Sequence, residues 1–359
     1  MRVVVVGAGA SGLHCARALL SPNGDRPGNG TGSAPAEEPV EVVLVDRQLA
    51  VAEAGIEQLR RQSRAADPED GPWGEVRAAV DLKAAGAADI VVLCVPTGIG
   101  GDLAREALAD TRGQHGPDVV SMADAIADVQ QLLGFHTGAR ESGRRLVVGA
   151  GCSPGLSCLL AGHAAGLFER VEEIHVAKSG TGGPACARQH HRSLRQANWE
   201  WRDEAWIRRR ASSGRQLVWF PERIGAHDCY RAALAEPFLL QRSFPDARRV
   251  SARMAATRRD RLTGWLPMLR PPHADGGPGG LRVEVWGHRL GVLDVVVYGL
   301  ADHPARVAGI VAAAACGGLR QGWFPAAGVS TMADCREPTL VLQALDAMGV
   351  QVAVFEGAA

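Results

Sequence analysis

Three groups of residues in this 359-residue chain could do chemistry. The first is the run Gly7-Ala8-Gly9-Ala10-Ser11-Gly12, whose small residues leave backbone N–H groups bare for an anion. Gly7 permits a tight turn, Gly9 removes the Cβ that would hold a pyrophosphate away, and Gly12 lets the next segment pack closely. The second is a set of proton carriers: Lys178, which with Lys83 makes up all the lysine in the chain, and the pair His190 and His191. Histidine titrates near neutrality, as an acid–base group should. The third is the thiols. Cys186 and His190 have the i, i+4 spacing of metal ligands, but no second ligand cluster accompanies them and no metal is expected. Cys152 lies at the start of an expected helix, where a thiolate would be stabilised; a small buried apolar side chain is the alternative.

These residues need elements to hold them. Residues 3–6 are four valines, the pattern of a strand buried on both faces of a parallel sheet, and the glycine run leads from them into a helix over 13–20. Residues 21–39 are rich in Gly, Pro, Asn and Ser and read as an insertion. A second buried strand over 40–45 ends at Asp46, followed by a helix over 48–64 and a loop over 67–74. Further strands are expected at 88–95, 119–121 and 146–148, with helices near 101–108 and 123–133. This alternation calls for an α/β fold, a Rossmann doubly wound parallel sheet over 1–151. Beyond 170 the strands cluster at 171–177, 216–220, 250–256, 281–286 and 292–298, the last two as a hairpin, with a helix at 304–319 and a final strand at 350–355. A second α+β domain with a mixed or antiparallel sheet is expected over 152–325, with 326–359 packing back on the first.

Composition narrows the function. The net charge is zero, so no overall field draws the molecule to nucleic acid or an anionic membrane. No apolar run approaches the roughly 18 residues of a spanning helix. Eight scattered cysteines with no CxxC pair suit reduced thiols in a cytoplasmic protein. Arginines are dense over 188–215 and 248–261, with Trp199, Trp201 and Trp206 interleaved in the first group and Trp219 just after it. An arginine-lined pocket for an anionic substrate, with the tryptophans buried beneath the second sheet, explains this better than a nucleic-acid surface.

The glycine run follows a strand, opens a helix, and precedes a strand ending in an acid, which together point to a dinucleotide. Asp46 lies further on than the usual spacing of about 20 residues, and the 21–39 insertion accounts for the excess. Asp46 can accept both ribose hydroxyls, which favours NAD; Arg47 beside it could instead hold the 2′-phosphate of NADP. The strand ending Cys94-Val95-Pro96-Thr97 is what nicotinamide enzymes place beside the cofactor. A flavin is disfavoured because no further flavin-contacting segment follows.

The strand order, Asp124 after the strand over 119–121, and the turn Val148-Gly149-Ala150-Gly151-Cys152-Ser153-Pro154-Gly155 resemble the saccharopine dehydrogenase-like oxidoreductases. So does the strand over 171–178 followed by Ser179-Gly180-Thr181-Gly182-Gly183-Pro184. The resemblance implies an NAD(P) cofactor, with Cys152, Ser153 and Pro154 near it, and a second-domain sheet that forms the substrate floor and a homodimer contact. It also implies reactions at carbon–nitrogen bonds of amino-acid-derived substrates. The loop over 179–193 departs from the family pattern. Asp124, Lys178 and His190 are the catalytic candidates for hydride transfer to an imine, which needs an acid near nitrogen and cations for carboxylates. A C–O oxidoreductase of the homoserine or sugar dehydrogenase kind, or an NAD(P)-sensing scaffold without turnover, is the alternative. Residues 271–280 are a candidate lid.

Overall fold

The computed structural model describes residues 1–21, 40–66, 74–112, 116–268 and 271–355. Most of the expected insertion at 21–39 and of the loop at 67–74 lies outside the described residues. Six strands of the first sheet are β1 (Arg2–Val6), β2 (Glu41–Val45), β3 (Val76–Ala79), β4 (Ile90–Leu93), β5 (Asp118–Ser121) and β6 (Arg145–Val148), and apolar runs rich in valine form all but the edge strand β3. All pair in parallel, in the order β3-β2-β1-β4-β5-β6. That is the dinucleotide-fold order, with its reversal between β1 and β4, and ligands bind outside the strand ends at such a reversal. Burial of both faces explains the valine runs: Val3, Val5 and Val42 on one face and Val43 on the other are fully inaccessible.

The remaining strands are β7 (Arg170–Ser179), β8 (Asn198–Arg202), β9 (Ala205–Arg209), β10 (Gln216–Trp219), β11 (Ala226–Tyr230), β12 (Arg249–Ala255), β13 (Gly279–Arg289), β14 (Val292–Asp302), β15 (Gly328–Thr331) and β16 (Ala353–Val354). A mixed sheet runs β10-β11-β12-β7-β13-β14-β16, with β8 and β9 attached beside β12. Among the described strands of this sheet only β12 and β7 pair in parallel. The architecture is therefore α/β, a parallel Rossmann-like sheet plus a second domain on a mixed sheet. β13 and β14 form the expected hairpin, longer than their apolar cores because eleven residues of each stay in register.

The chain returns to the first sheet late. β15 adds to its edge in parallel with β6, and the Pro304–Arg320 helix packs along the Ala10–Leu20 helix. Contact there is close: a Cβ on Gly309 would lie 2.5 Å from the Cys15 nitrogen. The described helices include none long and apolar enough to cross a membrane.

Several local expectations need correcting. β3 and the short Leu82–Ala85 helix fall between the expected loop and the strand at 88–95; β3 is a half-buried edge strand with only Ala79 buried, so it carries no apolar run. The expected helix at 123–133 begins at Ile126, leaving 122–125 as a connection. The expected loop at 179–193 is a helix over Pro184–Ser193, with Pro184 in its first turn. Gly182-Gly183-Pro184 reads as loop, yet proline suits the start of a helix, where its missing N–H has no partner to lose. Trp219 is 61% exposed, not buried, while Trp206 stacks on Phe238 at 4.4 Å.

A candidate active-site cleft between the two sheets

The cleft begins where β1 and β4 end. Gly7 follows β1 with φ of +106°, and a Cβ there would lie 2.3 Å from the Cys94 carbonyl oxygen. A Cβ on Gly12 would lie 1.9 Å from the Gly7 oxygen, so only glycine lets the helix start this close. Gly9 differs: nothing lies within 4 Å of where its Cβ would be. The turn therefore has the space a diphosphate needs, at the N-terminal end of the 11-residue Ala10–Leu20 helix.

Asp46, just past β2, bends toward this turn. Its carboxylate accepts the Ala8 N–H at 3.4 Å and the Gln48 N–H at 3.0 Å. Arg47 is exposed beside it. The segment Cys94-Val95-Pro96-Thr97 forms the next part of the wall, and the Gly98 N–H after it donates to both Asp128 oxygens, at 3.1 and 2.9 Å. Burial raises the Asp128 carboxyl above its ordinary range, with Gly98 opposing and the Asp124 charge adding to it.

Gly9, Ala10, Ser11 and the 94–97 segment line one cleft enclosing about 1010 Å³, part of it open to solvent. The opposite wall holds Cys152, Ser153 and Pro154 from the turn after β6, Lys178 from the end of β7, and Cys186, Gln189 and His190 from the Pro184–Ser193 helix. Spacings of three and four put these last three on one helical face. Asp124, in the connection after β5, completes it.

The charged groups meet in two sets. Lys178 donates to the Ser153 carbonyl at 2.8 Å and lies 3.5 Å from a carboxylate oxygen of Glu236. Burial alone would lower the Lys178 pKa, but the charges of Glu236 and Asp124 outweigh it and hold the ammonium form. Ser153 Oγ donates to the same Glu236 oxygen, and the other Glu236 oxygen is buried with no hydrogen-bond partner. In the second set, His190 Nε2 lies 3.4 Å from Asp124 Oδ2, and Cys186 Sγ lies 3.6 Å from His190 Nε2 and 3.8 Å from Asp124 Oδ2. Burial works against a charged His190, and so does Lys178. Cys186 and the Asp124 carboxylate prevail, bringing its pKa up to about 9. Asp124 is correspondingly lowered: burial opposes this, and His190 and Lys178 overcome it.

Some expected roles do not survive. Burial pushes the Cys152 thiol up to about 12, so it is not a stabilised thiolate, and its helix begins only at Leu156. His191 points elsewhere, its Nε2 facing the Thr263 and Leu266 carbonyls at 2.9 and 3.1 Å. No arginine among the described residues lines the cleft. Several instead surround Glu200: Arg231 at 2.6 Å and Arg209 at 3.5 Å, within the second sheet. Glu236 was missed. Nothing in Ala-Glu-Pro announces a buried carboxylate, and it reaches Ser153 across 83 residues. The 271–280 segment covers the glycine loop, since a Cβ on Gly276 would lie 2.1 Å from the Thr181 oxygen.

No protein-family model matches the chain, and no curated protein matches it. Solved structures do. Apo histidine-tagged saccharopine dehydrogenase (L-Glu forming) from Saccharomyces cerevisiae aligns with a TM-score of 0.65 and 13% identity, covering 99% of both chains. DAP dehydrogenase from C. glutamicum in complex with DAP aligns at 0.46 and 16%, covering 98% of this chain and 99% of that one. An engineered D-amino acid dehydrogenase bound to NADP+ aligns at 0.43 and 15%, covering 98% and 99%. The first match carries the fold: this chain has the two-sheet architecture of saccharopine dehydrogenase along its whole length.

Proposed function

We propose that this protein is an NAD(P)-dependent dehydrogenase or reductase acting at a carbon–nitrogen bond of an amino-acid-derived, carboxylate-bearing substrate. The observation that carries the reading is one cleft, in which the open turn at Gly9 faces Lys178, Asp124, Cys186 and His190. The bare N–H groups beside Gly9 would hold the cofactor's diphosphate, and Asp46 would accept the adenosine ribose hydroxyls, favouring NAD over NADP. Bound there, the nicotinamide supplies or takes up hydride. The chain's own groups then manage the proton and the charge. The Asp124–Cys186–His190 set holds a proton beside the substrate nitrogen, and the Asp124 carboxylate favours a cationic imine or amine there. Lys178 offers a cation to a substrate carboxylate, at a cost to its pairing with Glu236.

Thermal shift with NADH and NADPH, followed by turnover assays over amines, imines and carbonyl compounds, tests this. A cofactor at 100 times its dissociation constant should stabilise the protein by about 2.7 kcal/mol. Binding with no turnover on any of these substrates would leave a cofactor-sensing scaffold in place of an enzyme.

A cytoplasmic setting is supported by eight free cysteines. A homodimer through the second sheet is supported by its apolar hairpin tip, where Leu290, Val292 and Leu293 are exposed. Mass photometry at assay concentration checks the latter, and a monomer throughout would remove it.

A further inference from the structure

We infer that Asp124, Cys186 and His190 form a binding site for one zinc-type divalent ion, with an open position facing the cleft. The ion's presence stands on these three side chains alone; only its role rests on the dehydrogenase reading above.

The donors come from two places that the fold brings together. Cys186 and His190 are one helical turn apart, and Asp124 arrives from the connection after β5, 62 residues before Cys186. A carboxylate, a thiol and an imidazole are three ligand types that zinc accepts together, and the thiol with the imidazole selects against magnesium and calcium.

Their separations carry the inference. Tetrahedral zinc places sulfur at about 2.3 Å and nitrogen or oxygen at about 2.0–2.1 Å. Donors around it are then about 3.6 Å apart for sulfur with nitrogen or oxygen, and about 3.4 Å apart for nitrogen with oxygen. The observed triangle is 3.6 Å for Cys186 Sγ to His190 Nε2, 3.8 Å for Cys186 Sγ to Asp124 Oδ2, and 3.4 Å for His190 Nε2 to Asp124 Oδ2. A direct imidazolium–carboxylate hydrogen bond would bring the last pair to about 2.7–2.9 Å. The triangle is too wide for that bond and fits around an ion.

Charge balance agrees. A carboxylate, a thiolate and a neutral imidazole cancel two positive charges, which suits a site where His190 is 8% exposed. Lys178 is the nearby cation, and Glu236 at 3.5 Å matches its charge. Three protein ligands with a fourth position left open is the arrangement of catalytic rather than structural zinc. All three residues line the cleft that also contains Gly9. The open position would therefore hold and polarise the substrate's heteroatom, in place of the proton the cluster otherwise carries.

The test is metal content of untagged full-length protein purified without chelator, read by elemental mass spectrometry. About one zinc per chain is expected, falling at least tenfold in Cys186→Ser and in His190→Ala. Cobalt added to chelator-stripped protein should give the intense visible bands of a tetrahedral site with a thiolate-to-metal band, both lost in Cys186→Ser. Less than about one zinc per ten chains, with no cobalt bands in the stripped wild type, overturns the site whether or not the variants fold. NADH thermal shift on the same preparations separates the two readings. A shift without metal removes the ion and leaves the dehydrogenase. Metal without a shift supports the ion and removes the dehydrogenase.

Discussion

The two walls of the cleft are built on different physical plans. On the parallel-sheet side the work is done by backbone: Gly7, Gly9 and Gly12 clear space, and the one side chain involved, Asp46, hydrogen-bonds to its own neighbourhood. On the other side the work is done by side chains, and Lys178, Glu236, Asp124 and the Cys186–His190 pair come from four separate segments. A backbone wall can bind a generic ligand with little charge of its own. A side-chain wall buries ionisable groups, which must satisfy one another before they can serve a substrate. The difference assigns binding of a common cofactor to the first wall and chemical specificity to the second.

The comparison can be broken most sharply at the buried pair. Lys178→Met leaves Glu236, which is fully buried, without its cation, and should cost about 3–5 kcal/mol in urea unfolding. Replacing both partners with apolar residues should recover most of that loss, because the desolvated charge goes with them. A single substitution costing less than about 1 kcal/mol would show that the second wall does not depend on charge pairing.

The glycine wall should separate into structural and binding positions. Gly12→Ala drives a Cβ to 1.9 Å from the Gly7 oxygen and should cost about 3 kcal/mol of stability. In Gly9→Val the added Cβ meets nothing within 4 Å, so melting without ligand should hold within about a degree or two, while the cofactor-induced shift disappears. If the shift survives in Gly9→Val, the diphosphate does not sit in this turn.

A smaller effect sharpens the contrast by moving away from the cleft. Glu200 is a buried carboxylate in the second sheet that serves only arginines. Burial would raise its pKa, but Arg231, Arg253 and Arg209 hold it below its ordinary value of 4.5. A carboxyl lowered in the folded state stabilises that state above about pH 4.5, and the contribution is lost as pH falls through the depressed value. Glu200→Gln should therefore cost about 1.5–3 kcal/mol at pH 7 and progressively less toward pH 3, read from urea midpoints across that range. Cofactor affinity should not change.

How much was legible follows the same division. The strand and glycine turn of the first wall are local, and short-range sterics fix them: Val3 to Val6 form the buried strand, and Gly7 and Gly12 stand where a Cβ would clash, whereas Asp46 reaches Ala8 only through the pairing of β2 with β1. The Pro184–Ser193 helix is hidden in the sequence because glycine and proline signal a turn, although proline is equally at home at a helix start. The arginines of 188–215 and 248–261 suggest a pocket, but none lines the cleft; Arg209 and Arg253 act on Glu200 instead. Spacing alone offered Cys186 and His190 as an incomplete ligand pair, and only the connection after β5 brings Asp124 to them.

The sequence by itself determined the parallel sheet, its switch point and the open turn, since those depend on Cβ sterics and on apolar runs a few residues long. The tertiary structure alone decided which titratable side chains meet across the cleft and which arginines turn away from it. Pairing of buried charge is set by desolvation at distances no local pattern encodes, so the chemistry became visible only once β7, the Pro184–Ser193 helix and the Asp124 connection shared one cavity.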